Sequence, residues 1–495
     1  MRGAPTIGRS ALAAVSTTAA AAGACATTWA LAIGIGAAPG IAVLSTVIAL
    51  TLSRRTFASR AEFLRSSLVL PVVGLVAAGV GWLLLAVPVL GAALFVLGMS
   101  VPIWMRRYGA TAARLGTMIT LPFTAILVAP VVPPGTGHWW TDLLMVVAAS
   151  LIAIAWVWLV REAARLLPHA AERAPDAGGS AAREPARDAG RPRGPRSRVA
   201  PSTRMAVQMA AALAAAFVVG WLAFPDHAMW TVLTAFIVCS GNRGRGDVVY
   251  KSVLRVGGAL AGTVAALALS WVVEPTGFAA VAVIFAALFV GTWLRQYSYA
   301  FWALTITLVL TMLQGVLGLT PPAASVGVLL AERLLAIVVG AVLGIAASWF
   351  LLPVRSGDVV RRRLADVLAA ASEVFAPSDE PTEARVERMR DAADRLAELA
   401  PTHRAHRMLA RKGRRLGISC IETAQRLPDA VDGRLAAPIP AASRATLRQA
   451  IGDARRSLAA PTDWDRIQLA LEALLSTLQP PERPPAAAAK PDTSR

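Results

Sequence analysis

The sequence predicts an all-α polytopic membrane protein: two parallel repeats of about six transmembrane helices each, followed by a cytoplasmic helical domain. Three observations lead there. Apolar residues make up 56% of the 495 positions and charged residues only 16%. Apolar runs close to the roughly 20 residues needed to cross a hydrocarbon core recur along the chain. The basic residues between those runs occupy alternate intervals, the signature of loops kept on the cytoplasmic side.

The first six runs fall near 11–33, 36–53, 67–87, 88–105, 115–133 and 141–160, within a repeat spanning 1–168. The second six fall near 205–224, 228–240, 254–273, 276–294, 298–316 and 329–352, within 204–353. None alternates with the two-residue period of a barrel strand, so spanning helices are the remaining way to satisfy the backbone in lipid. The first run follows Arg2 and Arg9 and imitates a secretory signal. It is read as a retained span, because it fills the place that 205–224 fills in the second half.

Arg54, Arg55, Arg60 and Arg65, then Arg106, Arg107 and Arg114, then Arg161 and Arg165 alternate with intervals free of basic side chains. Arg204, then Arg243, Arg245, Lys251 and Arg255, then Arg295, then Arg355 onward repeat the pattern. Both termini are therefore expected in the cytoplasm of a multi-pass protein of the cell membrane. Arg333, beside Glu332 at the mouth of the last run, is the exception. The formal charge of +19 follows from this topology and a basic tail, and no nucleic-acid partner is expected.

Internal duplication is visible directly. Trp104-x-Arg106-x-Tyr108 recurs as Trp293-x-Arg295-x-Tyr297 at a shift of 189, in a chain with only four tyrosines. One residue more aligns Arg65 with Arg255 and Asp142 with Glu332. An even number of spans per repeat gives both halves the same orientation, related by an axis along the membrane normal. Residues 169–203, rich in Pro, Gly, Ala and Arg, read as a flexible cytoplasmic linker. Helical spacing of apolar residues resumes across 354–480, and 481–495 reads as a disordered tail. The soluble helices are expected to pack on the cytoplasmic face or on a second copy of the chain. Near 462–478, Asp463 and Asp465 supply a helix cap and first-turn acids.

The richest stretch runs from Trp230, Thr231 and Thr234 to Lys251-x-x-x-Arg255-x-x-Gly258-x-x-x-Gly262. Lys251 and Arg255, four apart on one helical face, repel unless an anion lies between them or both snorkel to lipid phosphates. Gly258 with Gly262, and Gly340 with Gly344, permit close helix packing. Trp230, Trp139 and Trp140 suit an outer aromatic belt, and Thr231 and Thr234 can line a path. Glu332, Arg333 and Asp142, ionisable at outer edges, are candidates for gating or proton coupling. Asp226 and His227 read as a solvated pair, and Gln208 and Gln314 as interhelical glue or substrate contacts. Cys25, Cys239 and Cys420 show neither metal spacing nor a disulfide framework. The chain carries no phosphate-binding loop, zinc-protease or nucleophile-elbow motif, so neither catalysis nor a cofactor or metal is expected.

The Trp230-x-x-x-Thr234 and Lys251-x-x-x-Arg255-x-x-Gly258-x-x-x-Gly262 series resembles the fusaric acid resistance (FUSC) family. That family includes bacterial aromatic acid exporters and is related to plant aluminium-activated malate transporters. The resemblance extends to the duplicated six-span unit, the linker and the helical tail. It implies outward movement of small organic anions, aromatic or dicarboxylic, with Lys251 and Arg255 lining the path. Trp230, Thr231, Thr234, Arg65, Arg106 and Arg295 complete the expected substrate-binding set. Ala259 stands where the family commonly has Thr, and the first half has Ile41 at the Trp230 position, so the path is expected to favour the second half. The competing expectation is a non-transporting membrane scaffold with a partner-binding helical domain, whose Lys251 and Arg255 would face lipid.

Overall fold

The computed structural model describes residues 7–38, 40–55, 57, 59–128, 139–166, 200–240, 245–274, 278–318, 326–352, 356–400, 416–436, 440–459 and 463–479. Most of the linker, the Pro-rich turns at Pro133 and Pro321, and the expected disordered tail lie outside them. The chain divides into two compact units, Met1–Val354 and Arg355–Arg495.

Among the described residues the first unit is helical and contains no strand. Its helices are α1 (Ile7–Gly34), α2 (Ile41–Ser53), α3 (Arg60–Ser67), α4 (Leu70–Ala86), α5 (Pro88–Met105), α6 (Ala110–Val128) and α7 (Trp139–Leu166). They continue with α8 (Pro201–Ala223), α9 (Ala228–Cys239), α10 (Arg245–Ser270), α11 (Phe278–Leu294), α12 (Tyr299–Val316) and α13 (Val326–Phe350). Among the described residues, eight helical segments are long and apolar enough to cross a membrane. Four expected spans appear as shorter apolar helices, at 41–53, 115–127, 228–239 and 278–294. Leu222, Trp271, Phe278 and Phe350 stand more than four-fifths exposed on the outer surface. Such residues on a bundle with a well-packed interior match a surface wetted by hydrocarbon rather than by water. The protein is a multi-pass membrane protein.

Within the first half, α1 pairs with α2 and α7, α2 with α7, α4 with α6 and α7, and α5 with α6. In the second half α8 pairs with α9 and α13, α9 with α13, α10 with α12 and α13, and α11 with α12. Across the halves, α5 packs on α8 and α1 on α11.

Local chemistry sets the elements that matter below. Ser298 caps α12, its Oγ accepting from the Ala300 N–H at 3.2 Å. A turn at Pro225–His227 delivers the chain into α9. At the far end of α13 the Gln208 amide donates to the carbonyls of Leu351 (2.8 Å) and Leu352 (3.2 Å). Those carbonyls have no intrahelical partner, and Leu352 turns the chain with φ of 46°. Gln208 therefore acts as interhelical glue.

The second unit packs α14 (Ser356–Val374), α15 (Thr382–Ala397), α16 (Leu416–Ala424), α17 (Leu427–Leu435), α18 (Ala441–Ser457) and α19 (Trp464–Leu478). One core joins them through Leu364, Leu368, Met389, Leu396, Ile421, Leu471 and Leu474. Asp463 caps α19, its carboxylate accepting from the Arg466 N–H at 3.0 Å, and Asp465 follows in the first turn. The buried Arg385 donates to the Glu373 (2.9 Å) and Ala376 (2.7 Å) carbonyls, closing the C-terminal end of α14.

Cys420 sits fully buried in this core. Burial, with Glu472 and Asp465 nearby, pushes its thiol up to about 12. Since the thiolate is the nucleophile, Cys420 in the native protein is expected to resist N-ethylmaleimide at pH 7.5 and to react fully in denaturant. Mass spectrometry of the Cys420 peptide checks this; rapid native labelling would contradict the packing.

Candidate functional site

The second half is organised around one face of α12. Tyr299, Ala303, Thr307, Thr311 and Gln314 recur at intervals of four, four, four and three, which aligns them along the helix. Apart from Ala303 the stripe is polar, in a helix otherwise apolar enough to span. Thr307 Oγ1 donates to the Ala303 carbonyl at 2.9 Å, and Thr311 Oγ1 donates to the Thr307 carbonyl at 2.7 Å. Each hydroxyl proton is thereby turned into the helix, leaving oxygen lone pairs outward.

Two arginines from other helices reach those lone pairs. Arg255 of α10 donates through Nη1 to Thr307 Oγ1 and to the Ala303 carbonyl, both at 3.4 Å. Arg333 of α13 donates to Thr311 Oγ1 at 2.6 Å, to the Thr307 carbonyl at 3.0 Å and to Gln314 Oε1 at 3.5 Å. The Arg333 guanidinium also lies 3.4 Å from the centre of the Trp230 ring, a cation–π contact. Arg255 is 0% exposed and Arg333 2%. Among the described residues neither pairs with a carboxylate, and Arg255 Nε and Nη2 and Arg333 Nε have no hydrogen-bond partner. Taking an unpaired guanidinium out of water costs several kcal/mol, and here two share one cluster. With a helical rise of about 1.5 Å per residue, Thr307 lies roughly 12 Å along α12 from Tyr299, far from either end.

Glycines make this reach possible. A Cβ on Gly258 would come within 2.6 Å of the Ala300 carbonyl, and one on Gly262 within 2.5 Å of the Leu304 carbonyl. Helix α10 thus lies backbone to backbone against α12. On the other side Gly340 faces the Thr231 carbonyl, where a Cβ would sit at 2.4 Å, and Gly344 faces Val238. These contacts bring α13, with Arg333, against α9, with Trp230, Thr231 and Thr234. Both threonines are fully buried, and their hydroxyls have no partner.

The structure distributes the expected site residues unevenly. Arg255, Trp230, Thr231 and Thr234 join the cluster. Lys251 does not: it lies half-buried four residues away, its Nζ donating to the Ser240 carbonyl at 3.3 Å. Arg65, aligned with Arg255 in sequence, is exposed on the separate helix α3, and Arg106 is exposed after α5. Arg295 is exposed with its guanidinium 5.6 Å from Trp302. Asp142 is half-buried in the first turn of α7. Trp230 faces inward rather than lying in a lipid-facing belt, whereas Trp140 is exposed; the Trp139 and Asp226 side chains lie outside the described set.

Glu332 and Arg333 part company. Neighbours on a helix point about 100° apart. Arg333 turns into the bundle, while Glu332, 53% exposed, meets His227 Nδ1 at 3.6 Å. Thr307, Thr311, Tyr299 and Trp302 were not singled out by sequence reasoning, although the four-residue spacing within a spanning run was the available signal. At the shift aligning Asp142 with Glu332, Arg333 falls on Leu143, so the arginine pair has no equivalent in the first half.

A Cβ at Gly262 must displace α12 backbone, so Gly262→Val is expected to destabilise the protein by roughly 1–3 kcal/mol. Gly257, with nothing within 4 Å of its Cβ position, serves as the control. Gly257→Ala should leave the thermal midpoint in detergent unchanged or slightly raised. Equal midpoints for the two variants would contradict the close α10–α12 contact.

No curated protein matches the chain. Residues 211–347, from within α8 to near the end of α13, match the family model described as fusaric acid resistance protein-like. The matched stretch, similar to that family's domain, holds Trp230, Arg255, Thr307 and Arg333.

Proposed function

We propose that the protein is a transporter that exports small organic anions, aromatic or dicarboxylic acids, from the cytoplasm through its second half. The observation that carries this reading is the pair of buried guanidinium groups, Arg255 and Arg333, facing a threonine stripe with no carboxylate partner among the described residues. A carboxylate passing along α12 would meet donors already fixed by packing. The unpaired Thr231 and Thr234 hydroxyls add neutral donors beside it. The family match supports a membrane transporter of the efflux kind. A scaffold with Arg255 turned to lipid fits poorly with a side chain that is 0% exposed.

Both termini and the helical domain are assigned to the cytoplasm on the charge asymmetry of the loops. The halves act as parallel repeats, a reading supported by the matching helix pairings and by the exchanged contacts α5–α8 and α1–α11. Lys251, Arg65 and Arg106 then serve at the cytoplasmic side to concentrate anions rather than to hold them. Glu332, with His227, is the candidate gate or proton site at the outer end, and Asp142 is its counterpart in the first half. An inside-negative potential drives one negative charge outward by about 2.3 kcal/mol per 100 mV, so secondary or channel-like export needs no nucleotide.

The test is efflux of labelled benzoate and succinate from proteoliposomes under an imposed potential. The native chain should release at least one acid faster than empty liposomes. Arg255→Ala and Arg333→Ala should each lower the rate about tenfold or more, the weight of one charge-assisted contact. Arg65→Ala should change it less than twofold. Native flux no greater than that of empty liposomes would remove the transport reading and favour the scaffold.

A further inference from the structure

The basic residues that flank α2 and α7 divide into two groups. Glu162 engages Arg60 at 2.6 Å and Arg165 at 2.5 Å. Arg55 donates to Thr117 at 3.2 Å, and Arg161 lies over Phe57 and Phe63. These four are accommodated within the first half. Arg54 is different: it reaches across to the second half, donating through Nη2 to Thr292 Oγ1 at 3.0 Å. Its guanidinium lies 4.3 Å from the centre of the Trp302 ring, and its Nε is buried without a partner.

Arg295 approaches the same ring, at 5.6 Å. The two guanidinium groups therefore lie within about 10 Å of each other, about one Debye length at 0.1 M salt, and repel. Among the described residues neither has a carboxylate partner. One indole can attract each cation, but it cannot cancel their mutual repulsion. A negative group between them can, and planar guanidinium edges suit the paired oxygens of a carboxylate or phosphate.

We propose that Arg54, Arg295 and Trp302 form an oxyanion-capture site shared by the two halves at the cytoplasmic edge of the bundle. Its ligand is a carboxylate or phosphate group, from a soluble anion or from a lipid headgroup. Where the transport reading holds, this site loads the path. Trp302 lies five residues before Thr307, roughly 7–8 Å of helix from the Arg255 contact. The first half then contributes a ligand-binding residue despite lacking the deep arginine pair.

Calorimetric titration of the full chain in nanodiscs tests the site, using succinate and inorganic phosphate. An Arg255→Ala, Arg333→Ala background removes both arginines of the deep site proposed above. In phosphatidylcholine discs, adding Arg54→Gln and Arg295→Gln should weaken binding of at least one anion about tenfold or more, while Arg54→Lys with Arg295→Lys retains most of it. A lysine pair that binds excludes misfolding as the cause of the loss. If the site takes a lipid phosphate, adding phosphatidylglycerol suppresses soluble-anion binding, and native mass spectrometry finds a retained lipid that the glutamine pair loses. Binding unaltered by the glutamine substitutions, together with equal lipid retention, overturns the proposal. In the flux assay the glutamine pair should raise the half-saturating internal concentration with little change in maximal rate. Loss of anion binding in a protein that shows no native flux would defeat the transport reading and leave this site standing.

Discussion

The second half of the membrane unit depends on keeping two positive charges inside a bundle of spanning helices with no negative charge beside them among the described residues. Arg255 and Arg333 are closed off from solvent, and every partner they have is neutral: threonine hydroxyls, backbone carbonyls, a glutamine oxygen and the face of Trp230. Such partners soften the loss of hydration without cancelling the charge. The residual positive field is directed along α12. The proposed preference for anions over cations rests on that field.

That arrangement explains the local sequence. Threonine on α12 serves twice, donating its proton to its own helix and presenting oxygen to the arginine. Serine could do the same with more rotamer freedom, whereas a β-branched side chain is already stiff at χ1. Glycines at 258, 262, 340 and 344 bring neighbouring backbones close enough for side chains to reach carbonyls that already belong to a helix. Without a hydrophobic driving force between helices in lipid, such close packing is a main source of their association. The packing that stabilises the domain is therefore the packing that builds the site.

Acidic groups are placed sparingly. Glu162 is engaged by Arg60 and Arg165 at one edge, and Glu332 by His227 near the other. Neither reaches the buried arginines, so the centre and the Arg54–Arg295 edge stay positive. The asymmetry between the halves follows the same logic. Leu143 and Ile41 stand where Arg333 and Trp230 stand in the second half, so the first half can support the bundle without duplicating its charge.

The sequence by itself determined the all-helical membrane character, because bilayer thickness and the obligation to satisfy every backbone hydrogen bond leave a signature in apolar run length. It also singled out Thr231, Thr234 and Arg255 by residue type and spacing, and Trp230 through the motif series that resembles the FUSC family. What only the tertiary structure decided is which charges meet. Arg65 and Arg255 align at a fixed shift, yet one is exposed and the other buried. Lys251 and Arg255 share a helical face, yet Lys251 bonds a carbonyl at the end of α9. Arg333 and Glu332, adjacent in sequence, point to different partners, and Arg54 crosses to Trp302 some 250 positions away. Periodicity fixes the direction of a side chain relative to its own helix. Its partner is set by the packing of other helices, which one chain's pattern of apolar residues does not encode.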